Sequence, residues 1–225
     1  MKIDLHIHTA HGSSDALIDP DELAEIARAR GLDGVCITEH GRQRTPLAAE
    51  LSRRHRFPVF GGMEASCELG DILVFGVESI PRHVITGRQI REYVLERGGV
   101  MVWAHPFRQD LSPRPWVGPL DPHLTLEKAL RLPMLKLIEA LEVANGQATQ
   151  ANVEFAREVS RRAGLGATGG SDAHVPIEIG HCCTVFEDGV RSEEDLVRAL
   201  KFGRYWAEDR RRLPENPPSG GCAPK

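Results

Sequence analysis

Short apolar runs alternate along the chain with segments that carry apolar residues at helical spacing. The apolar runs predict buried strands, and the spaced segments predict helices. In the first run, Lys2 to Thr9, successive residues point to opposite faces, so His6 and His8 project together while Leu5 and Ile7 face the other layer. Further strands are predicted at 34–38, 57–60, 71–76, 100–104, 165–168 and 182–186, with another inside 135–143.

Helices are predicted between most of these strands. The first begins at Asp19-Pro20-Asp21-Glu22, which combines an N-cap, a proline at the first helical position and an acidic third residue, and it ends near Arg30. The other predicted helices cover 46–55, 86–97, 124–132, 149–163 and 192–202. The run 71–76 follows its predecessor too closely for a crossover helix, so a hairpin is predicted there. Strand and helix alternate about seven times, which indicates a parallel barrel or a doubly wound sheet.

The composition fits one large soluble domain. The chain has 225 residues, of which 41% are hydrophobic, and α/β barrels of this length form single domains. Its net charge of −4, with acids and bases interspersed, lacks the electrostatic footprint of a dedicated nucleic-acid binder. A bilayer-spanning run and a signal peptide are both missing, which predicts a cytoplasmic protein. We assign residues 1–212 to the domain, with a long loop at 109–123, and predict that the Pro/Gly-rich segment 213–225 is a disordered tail.

Cysteine usage supports a reducing compartment. The cysteines are odd in number and lack C-x-x-C spacing, and three lie in or beside apolar runs, as free buried thiols do. We give no catalytic role to any of them: Cys36, Cys67, Cys182, Cys183 and Cys222.

Imidazole and carboxylate side chains recur at the carboxyl ends of the predicted strands, where barrel active sites lie. Such a mixture suits Zn, Mn or Fe, and it is too large for one tetrahedral ion, so we expect two or three divalent metal ions. Between neighbouring ions a carboxylate commonly bridges, and a shared water becomes a hydroxide near neutral pH that can attack phosphorus in line. The pool comprises His6, His8, Asp15, Glu39, His40, Glu64, His105, Asp172 and His174.

Five motifs, in order, resemble the PHP (polymerase and histidinol phosphatase) family of metal-dependent phosphoesterases. They are Asp4-Leu-His-Ile-His-Thr9, Ile37-Thr-Glu-His40, Gly62-Met-Glu64, Ala104-His-Pro106 and Gly170-Ser-Asp-Ala-His174. A lone H-x-H is weak evidence, whereas five ordered motifs over nearly the whole chain are specific. The resemblance implies a single-domain α/β fold, a distorted (β/α)7 TIM-like barrel, with a di- or trinuclear site that hydrolyses phosphate esters through a metal-bound hydroxide.

The resemblance also implies a role for each matching residue. One metal would rest on His6, His8, Asp172 and Glu64, and Glu64 would bridge to a second metal on His105. A third would rest on Asp15, His40 and His174. As catalytic or substrate-contacting residues the resemblance suggests Arg108 for the phosphate, Glu39 and Asn145 as orienting groups, and His181 as a phosphate contact or acid.

The chain departs from the family pattern at two positions. Asp15 lies seven residues after His8, a longer spacing than many relatives have, so His11 is an alternative ligand. Asp71 stands where the family often has histidine. Asp71 either ligates through its carboxylate or leaves the second site weaker.

Three functions remain open from the sequence. The leading hypothesis is a phosphatase or phosphodiesterase that hydrolyses a small phosphorylated substrate, with nucleotides among the candidates. The alternatives are a nuclease or proofreading-type module acting on DNA ends and a non-catalytic metal-binding interaction domain. Under the leading hypothesis we expect the protein to bind neither a membrane nor a stable nucleic-acid partner. Substrate identity, native metal and oligomeric state do not follow from the sequence.

Overall fold

The computed structural model of the protein describes residues 1–108 and 124–211, and in them nine strands form one sheet. In chain order the strands are β1 (Lys2–Ile7), β2 (Gly34–Ile37), β3 (Val59–Cys67), β4 (Gly70–Phe75), β5 (Val100–Trp103), β6 (Ala140–Asn145), β7 (Gly166–Gly170), β8 (Cys182–Phe186) and β9 (Tyr205–Asp209). Their order across the sheet is β7-β6-β5-β4-β3-β2-β1-β8-β9. The predicted loop at 109–123 and the predicted tail at 213–225 lie outside the described residues, as does the proposed domain end at 212.

The sheet nearly closes into a barrel. The backbone N–H of Gly169 donates to Oγ1 of Thr184 at 2.9 Å, and the Thr184 hydroxyl donates back to the Gly169 carbonyl at 3.0 Å. A bridge between Ile7 and Ala173 ties the segment after β7 to β1. These contacts bring β7 against β1 and β8, so the predicted single-domain α/β barrel is confirmed.

Two strands, β4 and β8, run against the direction of the others and break the parallel order of an ideal (β/α) barrel. β4 runs antiparallel to both β3 and β5, which confirms the predicted hairpin. β8 is antiparallel to β1, and β9 is antiparallel to β8. The sequence did not predict β9, because Tyr205–Asp209 is a short, partly exposed segment with no continuous apolar run.

Helices fill the predicted positions. They are α1 (Leu23–Ala29), α2 (Leu47–His55), α3 (Gly87–Glu96), α4 (Leu126–Ala129), α5 (Gln150–Ala163) and α6 (Glu193–Phe202), with short 3-10 helices at Pro133–Lys136 and Pro176–Glu178. None of the helices in the described part of the chain is long and apolar enough to cross a bilayer.

The predicted cap of α1 by Asp19 is wrong. Oδ1 of Asp19 accepts a hydrogen bond from the backbone N–H of Asp21 at 2.9 Å, which stabilises a turn. The helix itself begins later, at Leu23, and its N-cap residue Glu22 makes no side-chain capping hydrogen bond. The Asp-Pro signal therefore marks the turn that leads into the helix.

β1 is irregular where it carries the histidines. Its register against β2 shifts between Asp4 and Ile7. Leu5 and Ile7 accordingly pack into different apolar clusters, Leu5 with residues such as Phe60 and Ile7 against α1. A local irregularity of this kind redirects side chains and is frequent beside active sites.

Candidate metal centre

Histidine and carboxylate side chains that lie in or directly after five of the strands meet at one end of the barrel. The residues are His6 in β1, His8 directly after β1, His40 after β2, Glu64 in β3, His105 after β5, and Asp172 and His174 after β7. Among the described residues, three groups have ligand atoms close enough to hold an ion: His6, His8 and Asp172; His6, Glu64 and His105; and His8, His40 and His174. The groups share members, so they form one connected centre.

The first group is almost fully buried and lacks hydrogen-bond partners at its centre. Nε2 of His6 and Nε2 of His8 lie 3.4 and 3.3 Å from Oδ1 of Asp172. The same two nitrogens lie 3.5 and 3.4 Å from Oε2 of Glu64. Neither nitrogen has a hydrogen-bond partner, although both are buried. Because a buried polar atom without a partner is costly, two such nitrogens facing carboxylate oxygens fit a bound cation.

Glu64 joins the first group to the second. Its Oε1 lies 2.9 Å from Nε2 of His105, while its Oε2 faces His6 and His8. Asp71 lies at the edge of this group, with Oδ2 at 4.0 Å from Nε2 of His105. The hydroxyl of Ser66 donates to Oδ1 of Asp71 at 2.6 Å. Glu64 therefore directs one oxygen to each of the two groups, which suits the bridging role that the family resemblance implies.

The third group is more exposed than the others. Oδ2 of Asp15 lies 3.3 Å from Nε2 of His40 and 3.6 Å from Nε2 of His174. Asp15 therefore stands beside both imidazoles despite its unusual spacing in the sequence. His11, the alternative ligand, is exposed, and its described hydrogen bond joins its backbone to Thr9.

Glu142 is a site residue that the sequence analysis did not select. Its Oε1 lies 3.0 Å from Nδ1 of His6, on the side of the ring opposite the metal-facing nitrogen. It also accepts hydrogen bonds from the backbone of His105 at 2.8 Å and from the side chain of Asn145 at 2.9 Å. Metal-binding histidines typically donate their other nitrogen to such a carboxylate. The available signal was a single charged residue inside the apolar strand β6.

Arg108 lies beside the first group. Its Nη1 donates to Oδ2 of Asp172 and lies 3.5 Å from Oδ1 of Asn145. Nδ2 of Asn145 in turn lies 3.4 Å from Oδ2 of Asp172. The outer oxygen of Asp172 is therefore held by Arg108 and Asn145, and its inner oxygen faces the histidines.

The backbone is strained at two of these residues. His105 and Asp172 have φ angles of 29° and 54°, in a region that side-chain-bearing residues rarely adopt. Strained residues of this kind cluster at functional sites. Close packing also requires glycine at 170, because a Cβ there would lie 2.5 Å from Cβ of His6. These features bring the segment after β7 against β1.

The two buried carboxyls at the centre are held in the ionised form. The pKa of Glu64 lies well below its usual range: burial alone would raise it, but the nearby His6 and His105 imidazoles outweigh burial. The pKa of Asp172 is lowered in the same way by His6 and His8 against the effect of burial. Ionised carboxylates in a buried space attract cations.

The imidazoles respond to the same surroundings. Burial lowers the pKa of His6, but the surrounding carboxylates, Glu142 first, raise it well above its usual value. The pKa of His8 is lowered, chiefly by burial. The pKa of His40 is raised, mainly by its hydrogen bond with Glu64. Neighbouring histidines in this centre therefore differ in how strongly a proton competes with a metal.

The remaining residues predicted to be catalytic occupy different surroundings. Glu39 is buried and accepts hydrogen bonds from Thr9 and Ser13, so it orients the loop after β1. His181 is partly buried, and burial together with nearby charges, Arg30 first, lowers its pKa. None of the described contacts of His181 reaches the metal-binding groups. The catalytic roles of both residues stay predictions.

Known proteins resemble this chain in sequence and in fold. An uncharacterized protein of Methanocaldococcus jannaschii is 29% identical over 118 residues, which cover 48% of this chain and 68% of that protein. PsfC from Pseudomonas syringae superposes with a TM-score of 0.62 at 21% identity, covering 92% of this chain and 90% of that one. A candidate metal-dependent phosphoesterase from Bifidobacterium adolescentis gives a TM-score of 0.59 at 18% identity, covering 88% and 96%. At these identities the two solved structures show a shared fold.

Two family models match parts of the chain that carry most residues of the candidate metal centre. The model described as "PHP domain" matches residues 4–98, which include His6, His8, His40 and Glu64. The model described as "PHP-associated" matches residues 151–205, which include Asp172 and His174. With the five motifs, the barrel and both matches in agreement, the chain belongs to the PHP domain family.

Proposed function

We propose that the protein is a metal-dependent phosphoesterase that hydrolyses a small phosphorylated substrate with two or three divalent ions, Zn, Mn or Fe. One observation carries the proposal: Nε2 of His6 and Nε2 of His8 are buried, lack hydrogen-bond partners and face oxygens of Glu64 and Asp172. Membership in the PHP family supports this chemistry, and a solved structure of the same fold carries the name of a metal-dependent phosphoesterase.

In this proposal different residues bind the metal ions and the substrate phosphate. The three groups, with Asp15 beside the third, would hold the ions. When bound, divalent ions lower the pKa of water and neutralise charge on phosphate oxygens. Arg108, which touches the outer oxygen of Asp172, would add a charge-assisted donor for the phosphate. In the hydrolysis a water oxygen forms a bond to phosphorus, the ester P–O bond breaks, and the departing alcohol takes up a proton.

We also propose that the protein resides in a reducing compartment. The cysteines in the described part of the chain, Cys36, Cys67, Cys182 and Cys183, are free and buried. Burial raises the pKa of Cys67 to about 11 and that of Cys183 to about 12, so neither thiol is primed for reaction. Free thiols of this kind support a reducing compartment such as the cytoplasm.

The test is a substrate screen on protein of known metal content. Protein loaded separately with Mn, Fe or Zn should release phosphate from at least one member of a panel of phosphorylated metabolites and nucleotides, and chelation should abolish the release. The matched control is Asp172→Asn, which keeps the shape of the side chain but removes its charge. No turnover of any compound by protein that carries two or three ions would refute the proposal. Cleavage of short oligonucleotides alone would also contradict it, in favour of a nuclease.

A further inference from the structure

Ser13 connects three parts of the metal centre, although it is not one of the metal-binding groups. Its hydroxyl oxygen lies 3.2 Å from Nδ1 of His8. The same oxygen accepts a hydrogen bond from the backbone N–H of His40 at 3.2 Å. The hydroxyl donates to Oε2 of Glu39. Ser13 is only 3% exposed, so these contacts are shielded from solvent.

The number of protons in this network decides the direction of each hydrogen bond. A serine hydroxyl has one proton to donate and two lone pairs that accept. The carboxylate of Glu39 accepts from Ser13 and from both the backbone and the hydroxyl of Thr9, so the Ser13 proton goes to Glu39. The lone pairs of Ser13 then receive the N–H of His40 and the Nδ1–H of His8. Nε2 of neutral His8 is left without a proton.

We propose that Ser13, fixed by Glu39, is a positioning residue that holds His8 in its Nδ1–H form and thereby presents Nε2 as a metal ligand. The inference rests on the proposed metal centre, since Nε2 of His8 is the atom that faces Glu64 and Asp172 at 3.4 and 3.3 Å. In a metal-binding histidine, the hydrogen bond made by the other nitrogen sets the tautomer.

The neighbouring histidine reaches a carboxylate by a different arrangement. Nδ1 of His6 lies directly against Glu142, at 3.0 Å. His8 reaches Glu39 only through the hydroxyl of Ser13. In both rings Nε2 faces the same two carboxylate oxygens. Nδ1 of His6 contacts its carboxylate directly, whereas Nδ1 of His8 reaches its carboxylate through the Ser13 hydroxyl.

The loop after β1 is shaped to allow this contact. A Cβ at Gly12 would lie 2.5 Å from Cγ of Glu39, so glycine is required where the loop crosses that side chain. The backbone of Ser13 is anchored by its N–H, which donates to the Thr9 carbonyl at 3.0 Å. Ser14, the next residue, is exposed. The pair Ser13 and Ser14 thus offers a buried test position and an exposed control.

The tautomer of His8 is measured by long-range 1H–15N NMR on metal-free protein with 15N-labelled histidine, at a pH where His8 is neutral. Wild-type protein should show His8 in the Nδ1–H form, and a dominant Nε2–H form would overturn the proposal without any variant. In Ser13→Ala, the Nδ1–H form should lose its dominance, and metal affinity should fall by about 10- to 100-fold, as for other outer partners of ligands.

Three further variants separate positioning from packing. Ser13→Thr keeps the hydroxyl and should restore the tautomer and affinity. Ser13→Cys keeps the side-chain volume but accepts hydrogen bonds weakly, so it should behave like Ser13→Ala even if the alanine variant folds poorly. Ser14→Ala should match wild type. An unchanged tautomer and unchanged affinity in folded Ser13→Ala or Ser13→Cys would overturn the proposal. Because the tautomer is read without metal or substrate, failure of the phosphoesterase proposal would be recognised separately.

Discussion

Arg108 donates a hydrogen bond to Oδ2 of Asp172, the oxygen that faces away from His6 and His8. The sequence had predicted that Arg108 meets the substrate phosphate and no metal. In the structure the guanidinium also orients a carboxylate of the metal centre, since Oδ1 of Asp172 is left to face both imidazoles. Arg108 can therefore affect both metal binding and substrate binding.

Replacing Arg108 by alanine should change both properties. We expect the affinity of the first metal to fall by about 10- to 100-fold, the usual effect of losing an outer partner of a ligand. With metal at saturation, the full number of ions should bind, while KM for phosphate esters rises and kcat falls. Metal titration by calorimetry and steady-state kinetics measure the two effects. Arg108→Lys is the control that keeps the charge. Unchanged metal affinity in Arg108→Ala would restrict Arg108 to the substrate role.

Glu142 should affect metal binding, although it contacts Nδ1 of His6 and not the metal-facing Nε2. Its oxygens contact Nδ1 of His6 and accept the backbone N–H of His105 and the amide of Asn145. Glu142→Gln removes the charge that supports His6 and introduces an N–H where an acceptor is needed. We expect metal affinity or activity to drop by about 10- to 100-fold while the fold is retained. Elemental analysis after dialysis, with circular dichroism as the folding control, tests this. Normal metal retention would contradict the assignment.

Particular residues show how far the sequence could predict this site. The H-x-H pair was recognisable because spacing of two on a strand brings side chains to one side, and the structure does bring His6 and His8 together, with ring centroids 5.0 Å apart. Their convergence with Asp172 depends on the β1 irregularity and on the close approach of Gly170, which are tertiary features without a periodic signal. Glu142 was missed for a similar reason, since only the barrel brings its carboxylate to His6.

Metal binding should weaken as the pH falls. A proton on a ligand nitrogen must leave before an ion binds, so a raised pKa moves this competition to higher pH. The hydrogen bond with Glu64 raises the pKa of His40, although burial opposes the shift. The affinity for the ion at His40, His174 and Asp15 should therefore fall on acidification, by roughly tenfold per pH unit for each proton taken up. Activity should decline below about pH 6.

Titration with Mn or Zn at several pH values between about 8 and about 5 measures this dependence. The His40→Asn variant is the control, because it removes the titrating imidazole of the exposed group while every ligand of the two buried groups remains. Metal affinity and activity that stay flat down to about pH 5 would exclude imidazole ligands.

Asp71 is the position where this chain differs from the family pattern. The side chain is buried, Ser66 holds its Oδ1, and its Oδ2 lies 4.0 Å from Nε2 of His105. Oδ2 of Asp71 lies on the side of the second group. An ionised carboxylate near a dication is attracted to it. We therefore expect Asp71 to complete the site of Glu64 and His105.

On this prediction, Asp71→Ala should remove about one metal equivalent and reduce activity by more than the 10- to 100-fold expected for an outer partner. Asp71→His should restore the ion, because it supplies the nitrogen that the family often has. Ser66→Ala is the matched control: it removes only the hydrogen bond to Oδ1 and should weaken the site without emptying it. Metal titration of the three variants distinguishes a ligand from a carboxylate that only stabilises the start of β4. Unchanged stoichiometry and affinity in Asp71→Ala would leave the second ion to Glu64, His105 and solvent.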